Sequence, residues 1–320
     1  MEPYLKGKKR VFLVPDGPLY LLPFNALRKG DSYLIENYQL IYVSSSRDLA
    51  VPSLVAEPGK SVIFAAPNYQ EANKAMVAEA HERADSGEKG AFSSLEFDPL
   101  PGTEIEAKRL TQLFSKRQIV PTVFAEALAT ETNLKNVKAP RILHLATHGY
   151  FLPTEAKPIE SGSELQSAKK PEDTKVKPVT NPMLRAGLAL SSANYGFQGV
   201  TREDGSDGVL TALEALNLDL VGTDLVVLSA CETGVGDVKQ GEGVYGLGRA
   251  FQEAGAKSVS TTLWTISDDA TADFMDHFYA RFLAGANAQT AMWETQKEFL
   301  KSPYRSHPFF WSPFVLYGNP

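Results

Sequence analysis

The chain of 320 residues contains a single cysteine, Cys231. A lone thiol cannot close an internal disulfide, which excludes a stapled secreted scaffold and points to a reducing compartment. Also missing is any apolar run of about 18 residues, the length that a membrane-crossing helix requires. The start, Met1-Glu2-Pro3-Tyr4-Leu5-Lys6, lacks the apolar core of a signal peptide. The expectation is a cytoplasmic protein with no membrane partner. Basic residues are outnumbered, 32 Lys and Arg against 38 Asp and Glu, for a net charge of −6. That balance argues against direct nucleic-acid binding, since a phosphate backbone is held by a basic stripe. No self-similarity at a period of about 20 to 50 residues recurs, so no solenoid lies within the chain. What is present, 43% hydrophobic and 22% charged residues, suits one large α/β domain or two smaller ones.

Two short stretches carry the chemistry. Asp224-Leu225-Val226-Val227-Leu228-Ser229-Ala230-Cys231-Glu232-Thr233-Gly234 opens as an apolar run too short for a helix and suited to a strand buried on both faces. It delivers Cys231 where the sequence turns polar and glycine-rich. Arg141-Ile142-Leu143-His144-Leu145-Ala146-Thr147-His148-Gly149 has the same design and delivers a histidine. At the carboxyl edge of a parallel sheet, loops are free to be shaped by chemistry while the strands hold them still. A thiol and an imidazole there make a candidate nucleophile and base. The alternative for Cys231, an inert residue packed like a small hydrophobe, fits less well with Gly234, Gly236 and Asp237 opening the chain to solvent. A shared metal on His144 and His148 is disfavoured, because four residues along a strand span about 13 Å at ~3.3 Å each. His144 is therefore read as a packed structural histidine, and neither metal nor cofactor is expected.

Residues 1–58 read as a β-rich opening segment and 59–320 as the α/β core. Val11 to Val14 and Leu19 to Leu22 flank Pro15-Asp16-Gly17-Pro18, a hairpin signal, and Gln39 to Val43 adds a third run. Ser61 to Ala66 reads as a core strand, residues 69–98 as partly helical and mobile, and Leu100 to Glu104 as the lead into a helix through Phe114. A strand near Val123 and a short helix from Thr132 to Val137 come before the His148 strand. From Pro153 to Pro182 lysines alternate with Glu, Ser and Pro, a composition that buries too little surface to order itself, so a flexible insertion is expected beside His148. After it come a strand over 184–192, helices over 208–218 and 243–254, a strand from Ser258 to Trp264, helices over 270–283 and 288–300, and a closing strand at Phe314 to Tyr317. Strand and helix alternate, the pattern of a mostly parallel sheet covered on both faces.

Gly241-Glu242-Gly243-Val244-Tyr245-Gly246 matches the G-x-G-x-x-G dinucleotide fingerprint in letters only. In that fold the first glycine lies in the tight turn directly after a strand, whereas here the apolar run ends at Ala230 and Glu242 would set a carboxylate beside the pyrophosphate. Glycines packed tightly against a sheet are the better reading.

Taken together, Val14-Pro15-Asp16-Gly17-Pro18-Leu19, Leu22-Pro23-Phe24, His144-Leu145-Ala146-Thr147-His148-Gly149, Leu228-Ser229-Ala230-Cys231-Glu232-Thr233-Gly234, Gly241-Glu242-Gly243 and Ser260-Thr261-Thr262-Leu263-Trp264 resemble the CHAT domain. This is a bacterial branch of the caspase-like cysteine peptidases, the group of caspases, separases, gingipains and legumains, and it is commonly joined to tetratricopeptide repeats. The resemblance implies a caspase-like α/β fold and a cysteine endopeptidase acting on protein substrates in a regulated bacterial signalling or defence pathway. It makes Cys231 the nucleophile, His148 its base, and the amides of Gly149 and Cys231 the oxyanion donors. A regulatory partner or repeat region outside this chain is also implied. Histidine and cysteine stand 83 residues apart (231 − 148), against roughly 50 in caspases, and the lysine-rich insertion accounts for most of the excess. Ser229 and Thr233 replace the Gln and Gly that flank the caspase cysteine, so cleavage after aspartate is not implied. The Trp264–Asp269 loop is similar to the separase loop whose aspartate pairs with an arginine before the scissile bond. Asp268 matches that position, which implies cleavage after a basic residue. Trp264, Glu232 and Asp269 are further pocket candidates, although Asp269 also suits the N-cap of the following helix. The alternative is a catalytically silent caspase-fold scaffold or signalling module.

Overall fold

The computed structural model describes residues 2–45, 49, 59–86, 95–151, 181–229, 237–239 and 243–318. Eight strands form its main sheet: β1 (Arg10–Leu13), β2 (Gln39–Tyr42), β3 (Val62–Pro67), β4 (Thr122–Glu126), β5 (Ile142–Ala146), β6 (Leu225–Ser229), β7 (Ser258–Thr262) and β8 (Phe314–Gly318). Their spatial order is β1-β2-β8-β7-β6-β5-β3-β4. All neighbours pair in parallel except β7 and β8. Two parallel blocks of opposite direction therefore meet at one antiparallel seam, and the block holding β5 and β6 carries the candidate site.

The central strands are fixed by burial on both faces. Every residue of β5 and β6 is buried, and each buried Leu, Val or Ile contributes about 1.5–3 kcal/mol. Alternation sends Ile142, Ala146, Leu225 and Val227 toward one core, shared with Leu110, Phe114, Phe274 and Phe278. Leu143, Leu145, Val226 and Leu228 face the other, with Leu210, Leu247 and Phe251. The first core lies under the helices α2 (Pro101–Lys116), α4 (Asp268–Phe282) and α5 (Ala288–Lys301), the second under α3 (Leu247–Glu253); α1 (Lys74–Ser86) stands apart from both. In α4 the i, i+4 series Ala270, Phe274, Phe278 and Phe282 is buried, which is why that stretch packs as a helix. The mostly parallel α/β sheet flanked by helices on both faces agrees with the sequence.

Three local expectations are corrected. The runs around Pro15-Asp16-Gly17 do not make a hairpin. The Asp16 side chain accepts the Gly17 N–H at 2.9 Å and starts a 3-10 helix, Gly17–Leu21, so β1 pairs in parallel with β2 instead. The helix expected over 208–218 is a strand, Val209–Thr211, followed by a short helix, Ala212–Ala215. Thr211 ends the strand and caps the helix in a box with Glu214. The helix expected from Gly243 begins only at Leu247; Gly243–Tyr245 is a strand antiparallel to Asp237–Lys239. Of the insertion from Pro153 to Pro182, only Asn181 and Pro182 fall among the described residues, as the N-cap and first residue of the 3-10 helix Pro182–Leu184.

Candidate active site

His148 stands two residues beyond the last residue of β5. The chain then enters a side sheet in which Gly149–Phe151 pairs antiparallel with Ala186–Ala189 and this in turn with Val209–Thr211. The Ala189 N–H donates to the His148 carbonyl at 2.9 Å. That bond makes Gly149–Leu188 a non-hydrogen-bonded pair of the ladder, so the Gly149 N–H points away from its partner strand. The Thr147 hydroxyl donates to the Ala189 carbonyl and lies 2.9 Å from the phenol of Tyr69. Strand end and side sheet together hold the imidazole's backbone in place.

The ring itself is held by groups that carry no sequence motif. His148 Nε2 lies 2.8 Å from the backbone carbonyl of Asp98. A carbonyl can only accept, so Nε2 bears the proton and Nδ1 is left as the basic nitrogen. Tyr69 and Phe97 flank the ring, each with its centroid 5.2 Å away, and the His148 N–H reaches the Tyr69 hydroxyl at 3.4 Å. No reading of residue types could have found Asp98, because the acceptor is its backbone.

Below the strand ends lies a cleft whose lining includes Gly102, Glu106, Thr147, Ser229, Trp264 and Asp268. Ser229, on the same face of β6 as Leu225 and Val227, donates its hydroxyl to the buried carboxylate of Glu106, 2.9 Å from each oxygen. His144 is fully buried, with Nδ1 3.0 Å from the Tyr279 hydroxyl. Its Nε2 stands 3.2 Å from Glu106 without the alignment of a hydrogen bond. Burial, and after it the Glu106 carboxylate, push the Tyr279 phenol well above its ordinary pKa and keep it neutral. His144 is thus a core histidine, as expected.

The remaining sequence candidates divide. Asp268 is exposed at the rim, packed against Gly102 so closely that a methyl group there would fall 2.1 Å from Oδ2. Trp264 lines the cleft and donates Nε1–H to the Phe309 carbonyl at 3.2 Å. Asp269 neither lines the cleft nor caps α4. Ser267 holds the N-cap position, and Asp269 pairs with Arg305 at 2.5 Å. Cys231 and Glu232 lie outside the described residues. The described part of β6 ends at Ser229, paired in register with Ala146 of β5. Two residues further along the sequence from this pair stand Cys231 and His148.

No helix among the described residues is long and apolar enough to cross a membrane. In sequence the chain is similar to Tetratricopeptide repeat protein 28 of Homo sapiens, 28% identical over 335 residues. The protein of the same name from Mus musculus is 27% identical over 332 residues. Both alignments cover 97% of this chain, and the chain spans only 12% of each relative. The bacterial setting expected from the resemblance has no counterpart in these mammalian relatives. In structure the chain is similar to separase in the Saccharomyces cerevisiae separase–securin complex, with TM-score 0.50 and 13% identity over 97% of this chain and 16% of that one. It is also similar to the Arg-specific cysteine proteinase gingipain R, with TM-score 0.48 and 11% identity over 100% and 65%. At 13% identity the likeness to separase concerns the fold alone, which is caspase-like. The family model for the CHAT domain matches residues 1–319, and the chain belongs to that family.

Proposed function

We propose that the chain is a cysteine endopeptidase in which Cys231 attacks a peptide carbonyl and His148 is its general base. The observation that carries this reading is the 2.8 Å contact of His148 Nε2 with the Asp98 carbonyl. It fixes the ring, stabilises the imidazolium that forms when Nδ1 takes the thiol proton, and leaves Nδ1 to return that proton to the leaving amine. The Gly149 N–H, turned out of its ladder, suits an oxyanion donor beside the Cys231 amide. The reading extends to specificity. A cleft with Asp268 at its rim and Glu106 at its floor favours an Arg or Lys side chain before the scissile bond, because both are donor-rich cations. Among the described residues, a single hydroxyl serves Glu106, a buried carboxylate with about four lone-pair sites.

Since the chain spans about an eighth of its curated relatives, a repeat region or protein partner is proposed as regulator of the site, and the lysine-rich insertion beside His148 as a segment whose removal alters activity. The test is to treat the protein with iodoacetamide and with arginyl and lysyl chloromethyl ketones, and to map the adduct. Modification at Cys231, faster with the basic reagents and lost in His148→Ala, is expected. Failure of every reagent to modify Cys231 would instead favour a silent scaffold.

A further inference from the structure

The carbonyl that receives His148 belongs to a segment with neither strand nor helix of its own, residues 95–98. That segment is clamped by Asn194, which is 3% exposed. Asn194 Oδ1 accepts the Phe97 N–H at 2.8 Å, and its Nδ2 donates to the Phe97 carbonyl at 3.0 Å. An N–H can only donate and a carbonyl can only accept, so the two partners fix which way the amide points. The Asn194 N–H also donates to the Tyr69 carbonyl at 3.2 Å. Phe97, held in this way, packs its ring on Tyr69, Phe197 and His148 at 5.9, 5.5 and 5.2 Å. One side chain thus joins both supports of the imidazole, the carbonyl at Nε2 and the aromatic wall beside the ring.

We propose that Asn194 is a positioning residue for His148: by clamping the Phe97 backbone it places the Asp98 carbonyl that holds Nε2–H and so directs Nδ1 toward the nucleophile. The proposal rests on the reading of His148 as the base. Asn194 itself touches neither thiol nor substrate in this scheme. Truncation to alanine removes both hydrogen bonds and leaves the Phe97 N–H and carbonyl unpaired. The segment then drifts, the ring loses its acceptor, and a displacement of about 1 Å in a reacting group can cost roughly 10²-fold in rate.

The test uses the full chain with its histidine rings labelled with ¹⁵N, as wild type, Asn194→Ala and Asn194→Asp, the last keeping the acceptor of the pair. A protected Nε2–H ring proton is expected in the wild type, assigned by its absence from His148→Ala. It should be lost to exchange in Asn194→Ala and weakened in Asn194→Asp. In parallel, an arginyl chloromethyl ketone reports the reaction itself, the thiolate sulfur displacing chloride to form a C–S bond. Its maximal inactivation rate should fall about 10²-fold in Asn194→Ala, with the half-saturating concentration little changed. A ring proton that survives in folded Asn194→Ala, or one absent from the wild type, overturns the proposal even if the rate falls. If Asn194→Ala does not fold, Asn194→Asp carries the same test, and an unweakened ring proton there overturns it. If the reagent fails to modify even the wild type, the peptidase reading falls while the ring proton still decides the role of Asn194.

Discussion

His144 and His148 lie four residues apart on one stretch of chain, and their surroundings divide their chemistry. His144 sits inside β5, with Tyr279 at one nitrogen, Glu106 near the other and no exposure to solvent. His148 lies beyond the strand end, with one nitrogen on the Asp98 carbonyl and the ring half-exposed. The first has no open side where a reacting atom could approach. The second has a fixed proton, a basic nitrogen and an open side. Place along the strand, more than residue type, separates a histidine that holds the core from one equipped to move a proton.

The comparison breaks most sharply if the wrong histidine matters. His148→Ala and Cys231→Ala are each expected to abolish hydrolysis of an arginyl peptide, lowering kcat by several orders of magnitude, with the melting temperature nearly unchanged. Retained turnover in either variant would remove the dyad. His144→Ala should do the reverse. It leaves the Tyr279 hydroxyl without its buried partner and a cavity beside Glu106, and should cost about 2–3 kcal/mol in urea unfolding, while the folded fraction still reacts with the ketone. Loss of reactivity without loss of stability would place His144 in the chemistry.

Asp268 offers a smaller test of the same principle at the cleft rim. Asp268→Ala should lower the preference for Arg over Met before the scissile bond by about 1.5–3 kcal/mol in kcat/KM, the worth of a charge-assisted hydrogen bond. Gly102→Ala should shift that preference in the same direction, because its methyl group would fall 2.1 Å from Asp268 Oδ2 and drive the carboxylate aside. An unchanged preference in both would take Asp268 out of the pocket.

What was legible in the sequence follows from how local each signal is. The apolar runs of β5 and β6 announce themselves, because a strand buried on both faces leaves an unbroken hydrophobic stretch, and His148 is legible as the polar residue that ends one. The pairing of β1 with β2 was not legible, since Pro15-Asp16-Gly17 serves a 3-10 start as well as a hairpin and only the distant run Gln39–Tyr42 decides. Within the site, the supports of His148 come from positions 69, 97, 98 and 194, spread over 125 residues (194 − 69). One of them acts through its carbonyl alone. Glu106 escaped notice because it sits on α2 among ordinary surface carboxylates, with Glu104 two residues before it exposed and paired to Lys108; only the packing of α2 on β3 and β5 turns it inward.

Asp268 and Asp269 repeat the histidine comparison at the smallest scale, two adjacent aspartates in the first turn of α4. One rests on Gly102 at the cleft, while the other is turned to Arg305, which also reaches Asp273 at 3.1 Å. Both lie at the helix N-terminus, where a negative charge is favoured. Only their directions differ. The Asp269 side chain is 71% exposed, so its ion pair is screened by water and Arg305 keeps Asp273 as an alternative partner. Asp269→Ala is therefore expected to cost no more than about 0.5–1 kcal/mol, read as a small shift in the urea midpoint that shrinks further in high salt. The preference for Arg over Met should stay at its wild-type value. If Asp269→Ala lowers that preference as much as Asp268→Ala does, the cleft reads the net charge of the helix start and not one positioned carboxylate.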